Sequence, residues 1–105
     1  MMMWGCKVDL GQVTESIVHG EPIRSTAWTT VFADKRSVRQ SEFYAAANVG
    51  LRPELMFIVH AHEYDGHEML RYPTSTGSEY DIIRTYEKDD LVELVCAARV
   101  GELSG

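Results

Sequence analysis

Turn signals punctuate this chain so regularly that most of it divides into strand-like segments, and only residues 35–50 carry a helical period. The interruptions fall at Gly20-Glu21-Pro22, at Gly50 with Pro53, at Asp65-Gly66, in residues 73–78 and in residues 87–90. Glycine tolerates positive φ and proline fixes its own, so the first four stop the regular structure before them, while the charged run at residues 87–90 reads as a turn. The stretches between are short, alternate in polarity and are rich in β-branched and aromatic residues, as half-buried strands are.

Residues 13–19 and 23–33 read as a hairpin around the Gly-Glu-Pro turn. In the second strand Ile23, Ala27 and Val31 fall on one face, and Trp28 and Phe32 on the other. Apolar groups on both faces suit a small barrel or an interface. Residues 35–50 change to a helical period: Phe43, Ala46 and Ala47 share a face, Ser37 and Gln40 have the spacing of a capping box, and Gly50 sits where a helix takes a left-handed stop. Residues 55–64 form the strongest strand, with Leu55, Phe57, Val59 and Ala61 on one side and Met56, Ile58, His60, His62 and Tyr64 on the other. Asp65-Gly66 predicts a two-residue hairpin returning through residues 67–72. Residues 80–86 alternate Tyr80, Ile82, Arg84 and Tyr86 against Asp81, Ile83 and Thr85, and residues 91–100 close a last hairpin with Val92, Leu94 and Cys96 on one face.

The expected fold is therefore mostly β, a small barrel or sandwich of about six strands with one short helix between the second and third. At 105 residues the chain has room for one core and one domain, spanning residues 1–105 with residues 1–5 and 101–105 frayed. The expected core comprises Phe43, Ala46, Phe57, Val59, Tyr80, Ile82 and Leu94.

Charge narrows the function classes. The net charge of −6 repels phosphate, which disfavours a free-standing DNA-binding module. Cys6 and Cys96 lie near opposite ends without metal or redox spacing and read as reduced thiols. The start, Met1 to Lys7, lacks the features of a secretory signal, and the longest apolar run, residues 55–59, is far below the ~20 residues that span a bilayer. The expectation is a protein made and used without membrane passage.

Catalytic patterns are missing: no serine or cysteine sits in a nucleophile elbow, and no glycine-rich phosphate loop is present. No catalytic residue, cofactor site or metal site is assigned, and the chain is not read as an enzyme. His60, His62 and His67 invite a metal reading, because strand alternation puts the first two on one face and a hairpin could return the third beside them. They lack the spacing of a zinc motif, and a solvated or interface strand is the preferred reading. Asp89-Asp90 reads as a solvated turn. Lys35, Arg36 and Arg39 form the only basic cluster. Trp28, Tyr64 and Tyr72 with that cluster motivate an alternative function, a monomeric barrel adaptor binding a peptide or single-stranded nucleic acid.

The strand Trp28-Thr29-Thr30-Val31-Phe32-Ala33, the Ser41-Glu42-Phe43-Tyr44-Ala45-Ala46 helix, and a closing hairpin of Tyr80-Asp81-Ile82-Ile83-Arg84 with Leu91-Val92-Glu93-Leu94-Val95 resemble the head-closure proteins of long-tailed bacteriophages. These are also called head-tail joining or adaptor proteins. The resemblance covers roughly residues 13–100. It implies a small β-barrel that forms a homo-oligomeric ring, a hexamer or dodecamer, in the virion neck after assembly in the host cytoplasm. The implied partners are the portal and its adaptor, a tail-completion or tail-terminator protein, and the packaged double-stranded DNA in the channel, with no membrane. In that family the connection between the second and third main strands can line or close the channel. Here that connection is residues 33–52, so Lys35, Arg36, Arg39, Glu42 and Tyr44 are the candidate channel or subunit-contact residues. Its helical character leaves open whether it plugs the channel or only makes subunit contacts.

Overall fold

A computed structural model of the chain describes residues 5–47 and 50–98. Six strands, β1 (Cys6–Val18), β2 (Glu21–Arg36), β3 (Pro53–His60), β4 (Met69–Tyr72), β5 (Ser78–Lys88) and β6 (Leu91–Ala98), form one antiparallel sheet that closes into a barrel in the order β1-β2-β3-β6-β5-β4. The helix α1 (Gln40–Ala47) lies between β2 and β3, and a single 3₁₀ turn, Ala61–Glu63, follows β3. The mostly β class, the strand number and the place of the helix are as the turn signals predict.

Inward-facing Val8, Leu10, Val31, Phe57, Leu70 and Leu94 make the core, with Val59, Val92 and Cys96. Of the expected core residues, Phe57, Val59 and Leu94 are fully buried, and Tyr80 and Ile82 pack half-buried against them. Met56, Ile58, Val95 and Ala97 alternate with these along β3 and β6, so they face outward, yet they too are buried. Ala46 of α1 is buried as well, and the helix contacts β3. Phe43 does not belong to the core. It is 48% exposed. One short helix turns only a narrow stripe toward the sheet, and Glu42 and Ala46, four apart, occupy that stripe.

Several boundaries and one strand pairing differ from expectation. β1 begins at Cys6, seven residues before Val13, and contributes Val8 and Leu10 to the core. The helix begins at Gln40, so Ser37 does not cap it, and Lys35 and Arg36 are the last residues of β2. Its end follows the reading: Gly50, at φ 76°, donates to the Ala47 carbonyl at 3.2 Å while Leu51 donates to Ala46 at 3.0 Å, the paired bonds of a left-handed helix stop. The difference in pairing is topological. β4 pairs with β1 and β5, not with β3, so Asp65-Gly66 turns the chain without making a hairpin. The strand ends at His60 because the 3₁₀ turn starts there. The expectations for residues 1–4, 48–49 and 99–105 lie outside the described residues.

The barrel uses only part of its first hairpin. β1 and β2 pair from Cys6 with Ala33 up to Val18 with Glu21, whereas β1 meets β4 only at residues 9–11 and β2 meets β3 only at residues 34–36. Beyond those contacts the hairpin continues as a two-stranded arm. Its turn has positive φ at both central residues, His19 (54°) and Gly20 (80°), the geometry that matches the natural twist of paired strands.

Candidate assembly surface

The connection singled out from the sequence is anchored to its own barrel through Glu42. This side chain is 4% exposed. The Tyr86 hydroxyl donates to its Oε2 at 2.6 Å, the Arg84 Nε lies 3.3 Å from Oε1, and Arg39 approaches at 3.9 Å. Arg39 also pairs with Glu93 at 2.9 Å and lies over the Tyr86 ring at 5.4 Å. Burying a carboxylate is costly unless donors satisfy it, and the donors here come from β5 and from Arg39, which also pairs with Glu93 of β6, so this cluster fastens α1 to the outer face of β5 and β6.

A β-bulge makes the cluster possible. Ile82 pairs with Cys96 but Arg84 pairs with Val95, so Ile83 is an extra residue on β5. An extra residue reverses the side-chain alternation beyond it. Tyr80 and Ile82 therefore point inward, and Arg84 and Tyr86 outward toward the helix. Strict alternation had placed all four on one face.

The other candidate residues are divided. Arg36 pairs with Asp34 at 2.8 Å, and the Lys35 ammonium lies 5.5 Å from the Tyr72 ring centre. Tyr44 is 69% exposed and Phe43 stands beside it in solvent. Phe43 and Ala47 border a groove of about 440 Å³ with Leu51, Arg52, Pro53 and Glu54. The basic cluster is thus split: Lys35 and Arg36 belong to the strand end, and Arg39 to the helix anchor.

The arm offers the second surface. Ile17, Val18 and Ile23 near its tip are all exposed, Ile17 by 69%. Glu15 and Arg24 face each other across it, with Oε2 and Nε 3.5 Å apart, and Thr14 and Ser25 share a hydroxyl hydrogen bond of 3.1 Å on the opposite face. At its base lies a polar cluster with no counterpart in the sequence reading. Asp9, between inward Val8 and Leu10, points outward and is 2% exposed. The Thr30 hydroxyl donates to Oδ1 at 2.6 Å, and Arg71 Nε and the Ser75 N–H donate to Oδ2, each at 2.9 Å. Burial raises the Asp9 pKa, but the bonds from Thr30, Ser75 and Arg71, with the arginine charge, outweigh it and hold the carboxyl below its ordinary value. Arg71 in turn stacks over Trp28 at 4.2 Å, and Trp28 lies against Gly11, its cross-strand partner. Trp28 is thereby occupied on the barrel instead of open to a base.

The histidines do not converge. His60 and His62 have ring centres 5.3 Å apart, while His67 packs on Tyr64 and its Nδ1 accepts the Asp65 N–H at 3.1 Å. Among the described residues no group of three or more His, Cys, Asp or Glu could hold a metal ion. Cys96 is a core residue whose thiol burial pushes up to about 12, so it stays protonated at neutral pH. No described helix is long and apolar enough to cross a membrane.

No protein-family model matches the chain, and no curated protein matches it. The functional reading therefore rests on this geometry and on the sequence pattern.

Proposed function

We propose that the protein is a structural ring subunit of a phage neck, of the head-closure kind, which assembles below the portal and its adaptor after packaging, closes the head and presents a surface to the tail. The observation that carries the reading is the arm. A closed barrel has no sheet edges with which to associate, and this one extends a hairpin whose tip holds Ile17, Val18 and Ile23 in solvent. Exposed apolar groups on a projecting element suit burial against another subunit.

Two further features support it. The barrel interior is filled by side chains such as Leu10, Phe57 and Leu70, so a DNA passage has to form between copies and not through one. A wall with net charge −6 lets DNA slide without binding its phosphates tightly. In this reading the connection of residues 33–52 serves subunit contact: Glu42 and Arg39 keep α1 on its own barrel, while Phe43 and Tyr44 face a neighbour.

Electron microscopy of purified portal-adaptor assemblies mixed with the full-length protein tests the proposal. It predicts an added ring of density beneath the adaptor. Assemblies unchanged at saturating protein would overturn it.

A further inference from the structure

The pairing register of the arm determines which of its backbone groups lack partners. A two-residue turn with both φ values positive makes Val18 and Glu21 a hydrogen-bonded pair, and bonded and non-bonded pairs then alternate down the hairpin. Ser16 with Ile23 and Thr14 with Ser25 bond to each other. Val13, Glu15 and Ile17 on β1, and Arg24 and Thr26 on β2, direct their N–H and C=O groups away from the hairpin. The barrel obeys the same parity, because the Gly11 carbonyl points outward and accepts the Glu68 N–H at 3.1 Å. Pro22 obeys it too, standing at an outward position where its missing N–H breaks no bond within the hairpin. Among the described residues no strand pairs with either edge of the arm. Apart from Pro22 the two edges carry neither proline nor bulge, two of the devices that keep exposed edges apart, and their charged residues, Glu15 and Arg24, are of opposite sign.

We infer that these edges pair with each other between copies of this chain, β2 of one arm against β1 of the next, so that the arms of a ring form one continuous antiparallel sheet. This deepens the ring reading and rests on it. Because the two strands of an arm run in opposite directions, shifting one arm sideways sets its β1 antiparallel to the neighbouring β2 with no other rearrangement. Without stagger, each rung of the arm continues into its own kind. Ile17 and Pro22 extend an apolar row. Glu15 and Arg24, already opposite each other within the arm, extend a row of alternating charge in which Arg24 of one copy lies beside Glu15 of the next. A stagger of two residues would set Arg24 against Ile17 or Val13 and lose the match, so charge complementarity selects both the occupant and the register. The contact uses a different edge on each side, which is the kind of interface that closes into a ring.

Amide hydrogen exchange of the full-length protein across a concentration series tests the inference, with Thr26→Pro as the main variant. That substitution removes an outward N–H and leaves the internal ladder intact. The expected result is protection of the Val13, Glu15, Arg24 and Thr26 amides on assembly, with self-association weakened about tenfold or more in Thr26→Pro, the loss of one net hydrogen bond or more at each interface. Assembly with those amides still exchanging freely, or with Thr26→Pro behaving as the unmodified chain, overturns edge pairing and leaves the ring reading to its own portal-binding test. A chain that stays monomeric at every concentration overturns it as well. Should Thr26→Pro fail to fold, Arg24→Glu decides: it weakens association, and adding Glu15→Arg restores it, whereas unaltered association of Arg24→Glu refutes the register.

Discussion

Asp9 and Glu42 are buried carboxylates on the outside of the barrel, each held by donors from distant parts of the chain: Thr30, Arg71 and Ser75 for the first, and Arg84 and Tyr86 for the second. For Asp9 the sign of the pH effect follows from its depressed pKa. Its contribution to stability is complete above the unfolded carboxylate value of about 3.9 and is lost as pH falls through the lower folded value. Asp9→Asn is therefore expected to melt below the unmodified protein at neutral pH, with the gap closing in strong acid; a gap independent of pH would contradict the assignment. Tyr86→Phe is expected to cost about 1.5 kcal/mol in chemical denaturation, the value of a hydrogen bond to a charged acceptor, and to increase exchange of the α1 amides. Neither acid was recognisable as buried from the sequence. An aspartate between valine and leucine reads as the polar side of a strand, and Glu42 reads with its connection as a channel or subunit-contact residue. Burial of each depends on partners that only the closed sheet brings near.

At the scale of elements, local signals worked where the cause was local and failed where it was not. Gly50 ends α1 as its position predicts, because the left-handed stop is a property of the residue itself. Asp65-Gly66 turns the chain but joins no hairpin, since the choice of partner for β4 depends on how β1 closes the barrel. The bulge at Ile83 was likewise hidden: it reverses the faces of Arg84 and Tyr86 without any glycine to mark it. Gly11 has a discernible physical role. A Cβ there would come within 2.7 Å of the Trp28 ring, which Arg71 covers from outside. Gly11→Ala is thus expected to destabilise by about 1–3 kcal/mol through overpacking, measured by thermal or urea unfolding. An unchanged midpoint would show that the ring is free to shift.

For the whole molecule, the barrel and the arm divide stability from assembly. All fully buried hydrophobic side chains among the described residues lie outside residues 14–25, and a two-stranded ribbon adds little stability of its own. Replacing residues 14–25 by a short turn is expected to leave a cooperatively melting monomer that no longer self-associates; loss of folding would contradict that division. The strand order around the barrel and the extent of the arm were not legible beforehand, because alternation shows where a strand lies but not how much of it has a neighbour. The step from this architecture to a phage neck is tested most directly by electron microscopy of particles made when the encoding gene is disrupted in its phage or prophage. The account predicts heads that package DNA, fail to retain it and carry no tails. Full, tailed particles in normal number would contradict it.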